Sequence, residues 1–398
     1  MRLTHRRIAI LEGSPVHIGL RVFRAAAIVA VVVCLPSVFA PFRITQVTGA
    51  CTYAIVIVGL NLLSGFGGQI SLGHAAFFGL GAYTTGILTV DHGMPPLLTF
   101  PISIVLAFVV GAIVALPALR LRGIYVALVT LAVGLIFPAL VSRFDSLTHG
   151  PAGLFGVSYD PPHSLSYFGG FNGATLWHYW LVVLALGLVC LVARNLVRSR
   201  FGRAVVALRD NESAAVVMGV RRTASRALIF GISAAIAALA GSLFAVTNGI
   251  LTPDSFSLLL TLYFLAGMVI GGTATLWGPI YGGFIVYFVP VWATDLSGLH
   301  SGTNLAGVFL GVIIIVITFA LRTGVQGLLH SVTGLAFELR PRTPSASGAF
   351  RKSRVDRAAH EDRAAPADET IANGRDPGSG DLPDGATRPV RSDATPRL

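Results

Sequence analysis

Gln69, Ser71 and His74 are hydrogen-bonding side chains set in an otherwise apolar stretch. They lie inside SGFGGQISLGHAAFFGLGAYTTG, from Ser64 to Gly86, a run with seven glycines. Their chemistry is recognition rather than bond breaking. Gly65, Gly67 and Gly68 argue against one continuous helix. A new helix starting near Ser71 would carry unpaired N–H groups with partial positive charge at its first turn. At membrane depth such a break is tolerated only where protein or a water-filled cavity covers it, and in a transporter it could meet a substrate carboxylate. Gly67, Gly68, Gln69, Ser71, Gly73 and His74 are therefore the candidate solute path. A plainer reading stands beside it. Gly73, Ala76, Gly79 and Gly81 would let helices approach closely, and His74 would be a buried, hydrogen-bonded structural residue.

A second group of residues lies in a basic segment, RNLVRSRFGRAVVALRDNESAAVVMGVRRTASR, residues 194–226. Asp210 or Asn211 is placed to cap a short helix and Gly219 to end it. Glu212 falls in the first turn, where the helix dipole favours an anion. Two readings are open: an element that passes motion from a partner to the spans, or a solvated loop that fixes topology.

Other chemistries lack their residues. A phosphate-binding GxxxxGK[ST] loop needs a lysine, and the only lysine is Lys352, near the C-terminal end. Cys34, Cys51 and Cys190 sit in separate apolar stretches with no metal-ligand or disulfide spacing. No Ser/His/Asp set or carboxylate pair suggests catalysis. The expectation is a chain that is no enzyme and binds no cofactor or metal.

The elements that position these residues are membrane spans. The chain has 398 residues, 54% of them hydrophobic and 12% charged. A soluble protein carries about twice that charge, so lipid is the main solvent. A span needs about 20 apolar residues. About ten such stretches are found: 25–42, 44–63, 72–90, 97–119, 123–141, 176–193, 227–247, 255–272, 275–294 and 304–321. None contains Asp, Glu, Lys or Arg, which counts against a carrier driven by protons or sodium. With the N-terminus inside, 17 Lys/Arg up to Arg340 fall on the cytoplasmic side, against Arg43 and Arg143 outside. That is the positive-inside asymmetry, and it explains the basic balance better than nucleic-acid binding does. The first stretch, basic and then apolar up to Ala40, also has the form of a secretory signal; an uncleaved span is favoured because the next follows at once.

The expected organisation is an all-α polytopic membrane protein. It has a cytoplasmic basic N-terminus (1–24), a membrane domain (25–322) with an external loop (142–175) and a cytoplasmic loop (194–226), and a charged tail (341–398) too poor in large apolar residues to fold. Both termini are cytoplasmic in this scheme.

Four passages resemble one family, the branched-chain amino acid ABC transporter permeases of LivM type. They are NLLSGFGGQISLGHAAFFGLGAYTTGIL (Asn61 to Leu88), LRLRGIYVALVTLAVG (Leu119 to Gly134), the 194–226 loop running into LIFGISAAIAALAGSLFA (Leu228 to Ala245), and LTPDSFSLLLTLYFLAGMVIGGTATLWGPIYG (Leu251 to Gly282). The resemblance implies a bacterial inner-membrane subunit. It would pair with a second, LivH-like permease, dock on two cytosolic ATPases that hold ATP-Mg, and receive its amino acid from an extracytoplasmic binding protein. Glu212, Ala214, Ala215 and Gly219 match the family's ATPase-contacting loop, to which Arg209, Asp210 and Asn211 are neighbours. Ala274-Thr275-Leu276 stands where a Gly-Ser-like pair is expected. A permease for urea, short-chain amides or another small solute is the alternative, and an ion-coupled carrier a weaker one.

Overall fold

The computed structural model describes residues 8–11, 30, 32–118, 124–159, 173–297, 311–312, 324–327 and 337–340. Most of the stretch 304–321, the greater part of 1–42 and the tail 341–398 lie outside the described residues. Among the described residues, six helices are long and apolar enough to cross a membrane. The count of ten is thus not confirmed.

Helix α1, Pro41–Leu60, widens into a π-helix over Asn61–Phe66. After a non-helical stretch come α2 (His74–Val90), α3 (Pro96–Ala118) and α4 (Ile124–Arg143). Then follow α5 (Gly173–Arg198), α6 (Arg200–Asp210), α7 (Glu212–Val217) and α8 (Arg222–Asn248). Helices α9 (Leu258–Gly271) and α10 (Gly278–Ser297) follow. Helix α5 runs on to Arg198 and α8 begins at Arg222, so both helices reach into the segment 194–226. Two short strands, β1 (Leu154–Phe155) and β2 (Ile250–Leu251), pair antiparallel at the end of the bundle away from α6.

Helix α8 is the hub. Its small residues, GISAAIAALAGS, bring it against α1, α2 and α3. A methyl on Gly241 would meet the Phe78 carbonyl, and one on Gly81 would meet the Ala238 carbonyl, so α2 and α8 cross backbone to backbone. Hydroxyls bind the same crossing. Ser103 and Ser242 share a 2.7 Å hydrogen bond, and Ser242 Oγ donates onward to the Gly81 carbonyl at 3.2 Å. Phe78, Phe244, Phe256 and Phe264 pack as tilted and edge-on rings beneath it.

Burial is graded outward from this hub. The apolar windows of α1 and α8 are each 78% buried, that of α5 only 17%. Leu184, Leu188 and Leu191 on α5 point outward. A run of exposed leucines is the surface expected of a helix solvated by lipid.

Candidate functional site

The helix break forms where the glycines predicted it. The π-helix ends at Phe66, and α2 starts at His74 rather than near Ser71. Gly68 takes φ +67°, open to glycine without strain. The N–H groups freed at the start of α2 are held by neighbouring helices. Leu72 N–H donates to Thr130 Oγ1 of α4 at 2.9 Å, and Ala75 N–H to Thr261 Oγ1 of α9 at 3.0 Å. Gly73 lies so close to the Thr130 carbonyl that a side chain there would collide with it.

His74 is fully buried, and its network assigns its tautomer. Ser233 Oγ donates to the Gly59 carbonyl at 2.6 Å, so it must accept from His74 Nε2 at 2.8 Å. In the neutral ring Nδ1 then accepts from Ser71 Oγ at 3.0 Å. One imidazole thus ties the break, α2, α8 and α1 together. Gln69 is 8% exposed, and among the described residues its Nε2 has no partner.

A second break, between α9 and α10, lies against the first. Asn61 Nδ2 donates to the Thr275 carbonyl at 2.6 Å, and Ala274 N–H donates to Asn61 Oδ1 at 2.9 Å. Ala274 has φ +56°, a left-handed value that costs a side chain energy. This is where the sequence departs from the expected Gly-Ser-like pair.

The polar loop folds as two helices joined by one residue. Asn211 ends α6 and caps α7, its Oδ1 accepting from Ala214 N–H at 3.0 Å. Gly219, φ +86°, turns the chain after α7. Glu212 is clamped to the start of α8, 2.6 Å from Arg222 Nε and 3.1 Å from Arg226 Nη2. Ala215 is buried and Ala214 exposed, while Val217 and Met218 are each 85% exposed.

The two expected groups meet. Arg209, on α6, donates from Nη1 to the Gly65 carbonyl at 2.8 Å while holding Asp210 at 2.9 Å. A narrow cleft beside this contact is lined by Gly67 and Gln69, by Val205 and Leu208 of α6, and by Ser225, Arg226 and Ile229 of α8. Gly67, Gly68 and Gln69 therefore lie under the loop, whereas Ser71, Gly73 and His74 lie deeper in the bundle.

Helix α6 is absent from the sequence reading. Its signal was present: Ser199 as a cap, its Oγ accepting from Gly202 N–H at 3.1 Å, and apolar Phe201, Val205 and Leu208 at helical spacing. The roles of Thr130, Thr261, Ser233 and Asn61 had no local signal, since each partner is distant in sequence.

Comparison with known proteins places these features. A family model described as branched-chain amino acid transport system permease component matches residues 43–318. The high-affinity branched-chain amino acid transport system permease protein LivM of Salmonella typhimurium is 30% identical over 274 residues, which cover 62% of this chain and 62% of LivM. The chain thus spans less than two thirds of that relative's length. The corresponding LivH protein of Escherichia coli is 26% identical over 304 residues, covering 71% of this chain and 93% of LivH. The autoinducer 2 import system permease protein LsrC of Yersinia enterocolitica is 29% identical over 315 residues, covering 75% of this chain and 73% of LsrC.

Proposed function

The chain belongs to the branched-chain amino acid transport permease family, and from that premise we propose that it is one membrane-spanning subunit of an ATP-driven importer for leucine, isoleucine and valine. The observation that carries the ATP-driven part is helix α7. Its tip exposes Val217 and Met218, which need an apolar cover. Its first residue, Glu212, is fastened by two arginines to α8, one of the two most buried helices. A partner ATPase that grips the tip thereby moves α8. ATP-Mg resides on two such ATPases, and this chain supplies no catalytic group.

The α6–α7 end faces the cytosol in this reading, as do both termini. The distribution of 17 basic residues against Arg43 and Arg143 supports it. The opposite end, with the β1–β2 pair and Asp91, Asp145 and Asp254, receives an extracytoplasmic binding protein. A second, LivH-like permease completes the pore, and the likeness to LivH supports pairing between related chains. Gly67, Gly68 and Gln69 form the inner end of the solute path, where Gln69 Nε2, buried and without a partner among the described residues, is the donor that a solute would meet. Ser71, Gly73 and His74 hold that segment in place.

The likeness to LsrC favours one alternative, another small solute carried by the same machinery. The deciding experiment is uptake of labelled leucine and labelled urea by vesicles holding the complete complex, with and without ATP. Leucine accumulation that requires ATP is the expected result. Accumulation of urea alone would leave the importer and remove the amino acid.

A further inference from the structure

We infer that Arg209 is a positioning residue that carries the movement of the α6–α7 loop into the helix break, by a route separate from the Glu212 clamp on α8. The inference rests on the importer reading above. Arg209 stands on the last turn of α6, and Asn211 alone separates that helix from α7. Its guanidinium reaches the Gly65 carbonyl, 144 residues away in sequence, at 2.8 Å. That carbonyl belongs to the closing turn of the π-helix, where carbonyls lack helical partners and a cation is favoured. The Arg209 stem lies across Gly68, where an added Cβ would come within 2.6 Å of Arg209 Cγ. Contact is thus made at two points on the π-helix side of the break, by charge at Gly65 and by shape at Gly68.

The contact leads onward. The same π-helix contains Asn61, whose amide holds Ala274 and Thr275 in the second break. Shifting Gly65 therefore shifts both breaks together. A π-helix is a strained turn with alternative hydrogen bonding, suited to such a shift. The exposed Asp210 carboxylate lies 2.9 Å from the same guanidinium, so Arg209 is held from the loop and from the break at once.

The test uses the assembled complex in vesicles, with its ATPases and binding protein, and reads two quantities. The first is labelled leucine accumulated per ATP hydrolysed. The second is the change that ATP-Mg produces in thiol labelling of a Ser71→Cys variant whose native cysteines are replaced. Arg209→Ala should lower the first by about tenfold, a typical coupling magnitude, and abolish the second. Arg209→Lys, which keeps the charge but not the fork, should fall between. General misfolding would lower uptake and hydrolysis together and leave their ratio alone. An unchanged ratio with an unchanged labelling response in Arg209→Ala would overturn the role of Arg209. A wild-type complex that accumulates no leucine would overturn the leucine-importer reading instead, and the labelling comparison would still decide on Arg209.

Discussion

Residues in this bundle are held by single polar contacts across helices, so individual substitutions have readable consequences. Ala274 occupies a left-handed conformation, φ +56°, in the second break. Ala274→Gly removes the Cβ penalty and should stabilise the folded chain by about 1 kcal/mol, seen as a higher melting temperature in detergent. Asn61 is 2% exposed and serves both Ala274 N–H and the Thr275 carbonyl. Asn61→Ala strands both partners and should cost about 2 kcal/mol in the same measurement. The two changes touch the same turn, so their effects should not add. The neutral His74 donates to one serine and accepts from another. No sequence pattern reveals that pairing, because Ser233 is 159 residues away. The residue type and its setting among glycines were legible, and the partner was not.

Elements were more legible than contacts. Gly65, Gly67 and Gly68 announced the break, and Asn211 and Gly219 bounded α7, because caps and left-handed turns are local requirements that few residue types meet. Helix α6 was hidden in a segment rich in arginine, where charge masked an apolar face of three residues. The start of α2 was placed three residues early; the partners of the N–H groups at its start, threonine hydroxyls on α4 and α9, lie far from the run in sequence. The α2–α8 crossing gives a sharp test of element packing. In Gly241→Val the first added carbon already collides with the Phe78 carbonyl. Backbone cannot yield as a side chain does, so the penalty should reach the top of the roughly 1–3 kcal/mol overpacking range or exceed it. Gly187→Val on α5, where the added carbon meets nothing beyond its own helix backbone within 4 Å, should be tolerated. Recovery of a single peak on size exclusion separates the two. Glu212→Lys tests the other element-level joint. It sets a third cation beside Arg222 and Arg226, and uptake should collapse while membrane insertion persists. Normal uptake in that variant would remove the proposed link between α7 and α8.

At the scale of the whole molecule, the outward leucines of α5 make lipid, not water, the reference solvent. Leu184→Arg, at a position 73% exposed, would be harmless in water but should cost about 3 kcal/mol near the centre of a bilayer. The same solvent limits how the chain can be driven. None of the stretches taken as spans contains Asp, Glu, Lys or Arg, so none offers the ionisable groups through which a proton or sodium gradient usually acts. The only lysine, Lys352, is outside those stretches and in no phosphate-binding loop. On the proposed reading work enters mechanically, and α7, with Glu212 fastened to α8, provides a place for it to enter. Vesicles holding this chain and its permease partner should equilibrate labelled leucine at most. They should concentrate it only once the ATPases and ATP are supplied. Uphill accumulation without them, under an imposed proton or sodium gradient, would show that a coupling ion passes through the bundle and that the mechanical route is wrong.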